Sequence, residues 1–519
     1  MSIVSSRGPR AALLASAFAL ILAGSSRAAD VTEDQARDVA GQLRAWLTGL
    51  VTDRVPLSQD LLTVRPAGAS YSVTVPLPAG LLETQDDSGR PTEASVVALI
   101  HPEEGTRWRI ESMNFPASFR LSPGSAAALD ALAAMAGSPG AGARANDSQG
   151  LPSAEWRARS QAASGIFDTA QASDSRLDYR MEGITYDARN IGLKSETHTT
   201  VDRCNGTTFL HPTLTGGVDF GGEATLEGYT QVSSNPILGS MRVAVRRMFV
   251  RGELGSVMTG QVASVIRTTV GFGLDTQAAQ GGGDKGLIDR DAGRDVLRRV
   301  IATMKGILGG AKLEEIVEGL DVELPLGRGS ADKVTYAMGS DAPGGMLRAF
   351  SELRLLGLRV IGLPPQFADL VPISVLLRST VSNINVNALT GLAEDASQDG
   401  ADPDEMMARL VALFTSGGVR LGFEHLDIDL GFSSMIASGN ATVVGPNSAR
   451  GQADIAITGM DALMARTQKL PNAGQAMAAL ALAKGFGKAE GDRTVWHIAF
   501  SEDNKILVNG MDITRMGGK

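Results

Sequence analysis

A single cysteine, Cys204, stands among 519 residues, so no internal disulfide can form and stability must come from burial and hydrogen bonding. Catalytic signatures are also missing. No Gly-x-Ser-x-Gly elbow, His-Glu-x-x-His helix or phosphate-cradling Gly-Lys-Ser/Thr loop occurs anywhere, and Gly281 to Gly286 is a loop with no such cradle. Aromatic residues make up 5% of the chain while glycine numbers 61, which fits many strands joined by tight turns better than a compact aromatic core. Past the first residues no apolar run reaches the length of a membrane span. Basic residues are not in excess either: 48 stand against 57 acids. That balance argues against nucleic-acid binding and against broad docking on anionic lipid.

What is present begins with an export signal. Arg7 and Arg10 precede an apolar stretch, Ala11 to Ala23, and Ser26-Arg27-Ala28 supplies a small-x-Ala cleavage site. Cleavage after Ala28 removes three arginines and no acid, so the mature chain is more acidic still. The expected address is the periplasm, with residues 1–28 as signal peptide and no membrane segment in the mature chain. Residues 29–121 read as a small α+β domain. Thr32 and Gln35 form a capping box ahead of a helix whose Val39, Leu43, Trp46, Leu47 and Leu50 share a face. Four strand candidates follow, at Leu61–Val64, Ser70–Val75, Ser95–Ile100 and Arg107–Phe119.

Residues 122–175, rich in Ser, Ala, Gly and Pro, read as a flexible linker. The rest, 176–519, is expected to be β-rich, with helices near 287–320, 402–415 and 461–486. The first of these helices rests on Val296 to Leu308 and then Leu313, Ile316, Val317 and Leu320. The fold class is therefore α+β and β-rich: a helix-plus-four-strand domain, then extended antiparallel sheet with a few covering helices. Ala388–Leu392 and Thr458–Leu463 are faintly alike, too weakly to define a repeat.

Strand periodicity is plainest between Phe414 and Leu463. Leu426, Ile428, Leu430 and Phe432 alternate with His425, Asp427, Asp429 and Gly431, the pattern of a half-buried antiparallel strand. Ala441 with Val443, and Ala453 with Ile455 and Ile457, continue it after turns at Ser438-Gly439-Asn440 and Gly445 to Ser448. This reads as a helix, a three-strand meander and a helix. Lys505 to Gly510 reads as part of a closing hairpin.

The signal, the strand-rich body, Gly451 to Leu463 and Lys505 to Gly510 together resemble uncharacterised envelope proteins of proteobacteria: the YdgA-like proteins and, more distantly, AsmA-like proteins. Resemblance to the latter implies an elongated sheet whose apolar face carries lipid. This chain departs from them in its expected lack of a retained anchor and in its shorter length.

Candidate chemistry is sparse. His198, Cys204 and His211 are the nearest approach to a metal or nucleophile cluster, but their spacing is not that of a zinc site. Ser330 and Lys333 match a bare Ser-x-x-Lys without the Lys-Thr-Gly that accompanies it in penicillin-interacting enzymes. Asp399, Asp402, Asp404 and Glu405 miss the calcium-loop spacing and suit a helix start capped by Asp402. Asp427 and Asp429 share a strand face that reads as solvated. No catalytic residue, metal or cofactor is expected. The expected function is non-enzymatic: envelope maintenance, with a lipid or other apolar ligand, or an envelope protein, held against Leu426, Ile428, Leu430 and Phe432. An adaptor without ligand is the alternative, and an exported hydrolase the third reading.

Overall fold

A computed structural model describes residues 31–50, 62–76, 82–85, 91–92, 95–103, 107–121, 153–168, 175–190, 194–213, 218–236, 239–257, 310–325, 327–396, 403–445, 448–471, 473–503 and 505–514. The signal reading of residues 1–28 lies outside them. The chain is β-rich and its strands pair antiparallel. It divides into two compact units, one of Met1–Met241 with Arg251–Gly306, the other of Arg242–Val250 with Ile307–Lys519.

The first unit opens with helix α1, Glu33–Leu50. Its capping box forms as the sequence predicts: the Gln35 amide donates to Thr32 Oγ1 at 3.2 Å, and the Thr32 amide to Gln35 Oε1 at 3.0 Å. Ala36, Val39 and Ala40 are buried on its inner face. Strands β1 (Thr63–Ala67), β2 (Ser70–Pro76), β3 (Leu82–Gln85), β4 (Pro91–Thr92), β5 (Ser95–Pro102), β6 (Arg107–Asn114) and β7 (Ser118–Leu121) follow. Then come four long ones, β8 (Ser153–Asp168), β9 (Ser175–Asn190), β10 (Ser195–Pro212) and β11 (Val218–Asn235); the next strand, β12 (Gly239–Val257), gives its residues Arg242–Val250 to the second unit. The sheet runs β1-β2-β5-β6-β8-β9-β10-β11. Alternation along β2 and β5 turns Tyr71, Val73, Val96, Ala98 and Ile100 under α1. Trp108 meets Tyr71 edge-on at 5.6 Å between ring centroids and stacks on Phe167 at 6.4 Å.

Two expectations fail here. Residues 153–168, read as linker, form β8 and pair with both β6 and β9. The small residues that suggested a linker are core residues: Ala154, Ala158 and Ala163 are buried opposite Ala188, Ile184 and Tyr179. Bulk at Ile184 and Tyr179 on β9 lets Ala158 and Ala163 be small. Most of the remaining stretch, 122–152 and 169–174, lies outside the described residues. The sheet also does not close at residue 121, because β6 and β7 both hand on to β8.

Besides Arg242–Val250 of β12, the second unit has β13 (Gly310–Leu324), β14 (Gly327–Asp341), β15 (Met346–Leu356), β16 (Arg359–Ile361), the short helix α2 (Pro365–Ala368) and β17 (Ser374–Asn385). Helices α3 (Val386–Ala396) and α4 (Pro403–Ser416) come next, then β18 (Arg420–Asp429), β19 (Ser434–Gly445) and β20 (Ser448–Thr458). It ends with α5 (Met460–Thr467), α6 (Gly474–Phe486), β21 (Lys488–Glu490), β22 (Arg493–Phe500), β23 (Ile506–Val508) and β24 (Met511–Asp512). The order across this sheet is β13-β14-β15-β17-β18-β19-β20-β22-β23.

The helix expected near 287–320 is corrected where it can be seen: from Gly310 on, the backbone is β13. The reason is a phase reset. Gly319 has φ 66°, and the ladder to β14 pairs Glu318 with Lys333 and Leu320 with Ala331 but skips the pair between. Inward residues on the two sides of such a skip are separated by odd intervals, so Leu313, Val317 and Leu320 imitate helical spacing. The same device recurs. Gly183, Gly228 and Gly357 have φ 59°, 66° and 64°. A Cβ built on Gly183 or Gly319 comes to 3.0 Å from the Cβ of Arg159 or Arg246; one on Gly228 or Gly357 comes to 2.0 Å from the carboxylate of Asp202 or Asp332. Glu182 lies 3.9 Å from Arg159 and Glu318 lies 3.8 Å from Arg246. Strands β8–β11 and β12–β15 are thus two renderings of one pattern, Arg, Glu-Gly, Asp, Gly, the last glycine of the second, Gly357, directly following β15. Residues flanking the skip confirm the phase change: Ala158 and Ala163, Val201 and Cys204, Leu226 and Tyr229 are all buried.

A second device explains where many glycines went. Tyr179 faces Gly206, Phe209 faces Gly221, Phe350 faces Gly339, Phe423 faces Gly439 and Phe500 faces Gly451, each pair directly across the ladder. At every one of these glycines a Cβ would fall between 2.2 and 2.8 Å from the aromatic ring. The rings lie over strand glycines, so these glycines pack sheet interiors and do not make turns.

Candidate apolar face of the second unit

Residues opposite each other in an antiparallel ladder share a face, so the registers assign every side chain of this sheet to one side or the other. One row runs Val317, Val334, Leu355, Val375, Ile428, Met435, Ile457. The next runs Glu315, Tyr336, Leu353, Leu377, Leu426, Ala437, Ile455, Trp496. Beyond these the row runs Leu313, Met338, Ser351, Ser379 and, after a β-bulge at Glu424, Phe423, Gly439, Ala453 and Ile498. Through these rows Glu315 is the one charged side chain among the described residues. The opposite face carries Glu314, Arg354, Glu352, Arg378, Asp427, Asp454 and His497. There Arg378 pairs with Glu424 at 3.0 Å, and His497 Nδ1 lies 2.6 Å from Asp454.

Helices cover the apolar face only in part. At the late edge α5 and α6 pack Met460, Leu463, Leu480 and Phe486 on Ile455, Ile457, Trp496 and Ile498, and the Trp496 indole donates to the Ala483 carbonyl at 2.7 Å. At one end of the strands α3 and α4 bring Val386, Leu389 and Phe414 against Leu347, Val381 and Ile384. Between them the face stays open among the described residues. Leu353, Leu355, Val375, Leu426 and Ile428 are half-buried, and Met338, Leu377 and Leu421 are 43%, 37% and 46% exposed. Completing the burial of such a side chain stabilises by roughly 1 kcal/mol, so the open strip is a sizeable unspent apolar surface.

Of the four residues singled out in the sequence, Leu426 and Ile428 lie on this strip, in β18. Leu430 and Phe432 do not belong to the strand. It stops at Asp429, whose carboxylate accepts the Gly431 amide at 2.7 Å, and Gly431 turns with φ 79°. Phe432 sits under the Arg466 guanidinium, 5.0 Å from its ring centroid, and Arg466 pairs with Asp369. Ser438-Gly439-Asn440, expected to be a turn, is strand interior in β19, because Gly439 receives the Phe423 ring.

The remaining candidates do not converge. His198 and His211 are thirteen residues apart on one strand, roughly 40 Å. His198 bonds Asp187 at 2.7 Å and His211 stacks on Phe209 at 4.9 Å. Cys204 is buried, which pushes its thiol up to about 11. Ser330 and Lys333 are some 10 Å apart along β14, out of hydrogen-bond reach. Asp399 and Asp402 lie outside the described residues. Among the described residues no group of three or more His, Cys, Asp or Glu side chains could hold a metal ion, and no helix is long and apolar enough to cross a membrane. The residues missed from the sequence are the other strands of the face and Glu315. Alternation in Leu353 to Leu355 and Val375 to Leu377 was the available signal, but their alignment with Leu426 needs the register.

No family model, curated protein or solved structure matches the chain.

Proposed function

We propose that the protein holds the acyl chain of a lipid, or a similar apolar ligand, along the open strip of the second unit, as a non-enzymatic periplasmic component of envelope maintenance. The observation that carries this reading is the continuity of one apolar face across eight strands with its middle uncovered among the described residues. Soluble proteins seldom leave a large contiguous apolar patch in water without a partner for it. An acyl chain suits a surface that offers many weak dispersion contacts and few hydrogen bonds. The periplasmic address rests on Arg7, Arg10, the Ala11 to Ala23 stretch and Ala28. Native mass spectrometry of the protein purified from a bacterial envelope tests the reading. An adduct of lipid mass is expected, and a wild type that repeatedly carries none overturns it in favour of a ligand-free adaptor.

A further inference from the structure

The strip holds one group that burial alone does not explain. Glu315 stands on β13 between Leu313 and Val317, directly opposite Tyr336. It takes no hydrogen bond or ion pair from any described residue, and the Tyr336 hydroxyl is turned to Met338 Sδ at 3.5 Å. Its sequence neighbours Lys312 and Glu314 belong to the opposite face by strand alternation. Burial raises its carboxyl pKa, with no counter-charge to lower it. An unpartnered carboxyl on an otherwise uncharged face costs stability in the free protein, and a cationic ligand group would reverse that cost.

Resting on the apolar-face reading above, we propose that Glu315 selects the headgroup: the amphiphile held here carries a protonated primary amine, which lies against the Glu315 carboxylate while its chain runs over Leu353 and Leu377. Charge complementarity supports this occupant. No described cation lies on the face to receive a purely anionic headgroup, and such a headgroup would meet the carboxylate with like charge. The amine supplies a charge-assisted hydrogen bond in a surrounding of low polarity, where it is stronger than in water.

Two probes separate the headgroup from the chain: lysophosphatidylethanolamine and lysophosphatidylglycerol of equal acyl length, each used below its micellar concentration with the full mature chain. Calorimetric titration is expected to give the amine lipid about tenfold tighter binding, the scale of one charge-assisted hydrogen bond. Glu315→Gln, similar in shape, should bring the two to within about twofold, by weakening the amine lipid and relieving the like-charge cost of the glycerol lipid. Glu315→Leu should lose the same preference while raising Tm, since it removes a desolvated carboxyl, so a folding defect is not mistaken for a lost contact. Equal affinities in the wild type, or a preference kept by Glu315→Gln, overturn the headgroup inference and leave the apolar-face reading standing. If neither lipid binds the wild type, both fall.

Discussion

The two units use the same construction and put it to opposite ends. Each has antiparallel strands with an apolar and a charged face. In the first, α1 and the aromatic stack close the apolar face over β2, β5 and β6, so Leu62, Val73, Ile100 and Trp108 are at most 2% exposed. In the second, the helices stand at an edge and at one end, and Leu377 and Leu421 remain 37% and 46% exposed. Burial alternates strictly along β2 from Tyr71 and along β5 in the first unit, and less regularly along β15, β17 and β18 of the second. Whether an apolar face becomes core or stays open is decided by what lies over it, a property of the chain elsewhere.

The sharpest way to break this contrast is to place a charge on each face. Val73→Asp buries an unpaired carboxylate and should cost about 4 kcal/mol or more, unfolding the first unit. Ile428→Asp on the open strip should cost about 1 kcal/mol, because water reaches the site, and the protein should lose any co-purifying lipid. Urea unfolding followed by circular dichroism measures both. Equal losses would mean the strip is closed core. Truncation gives a milder version: Trp108→Ala should cost about 3 to 5 kcal/mol, and Leu421→Ala within about 0.5.

Acid–base behaviour separates the interiors further. The Cys204 thiol is pushed up to about 11 from 9.0 in the unfolded chain. A raised acid stabilises the fold fully below the unfolded value and loses that contribution as pH climbs through the folded one. Stability should therefore fall by on the order of 2 kcal/mol between pH 9 and 11, and Cys204→Ala should flatten that slope. A wild-type stability that stays level across this range would show the thiol to be solvated. The smallest expected effect is at Gly391, inside α3, where nothing lies within 4 Å of an added Cβ. Gly391→Ala should stabilise by about 0.5 to 1 kcal/mol, read as a rise in urea midpoint.

Much of this architecture is legible in the sequence. The capping box at Thr32 and Gln35, the strands around Val73 and Ile110, and the Leu426/Ile428 alternation all follow from local chemistry. What stayed hidden depended on partners. β8 looked like a linker because its alanines are small only in view of Ile184 and Tyr179 opposite. β13 looked helical because Gly319 resets its phase. Leu430 and Phe432 extended the alternation past the point where the Asp429 carboxylate folds the chain back. Glu315 falls in the stretch whose spacing imitates a helix, and only register places it among Leu353, Leu377 and Leu426.

The aromatic rings laid over strand glycines have a consequence for how sheets of such long strands find one alignment. Polar–apolar alternation penalises a slip of one residue, since every side chain would change sides, but it is blind to a slip of two. A ring seated on a glycine is not. Moved two places, the Phe423 ring would meet Ala437 or Ala441 in place of Gly439, while Gly439 would be left as a hole. Each pair therefore acts as a key that fits one notch. Five keys spread over five ladders discriminate against the even-numbered misalignments that a repetitive pattern of Val, Leu, Thr and Ala otherwise permits.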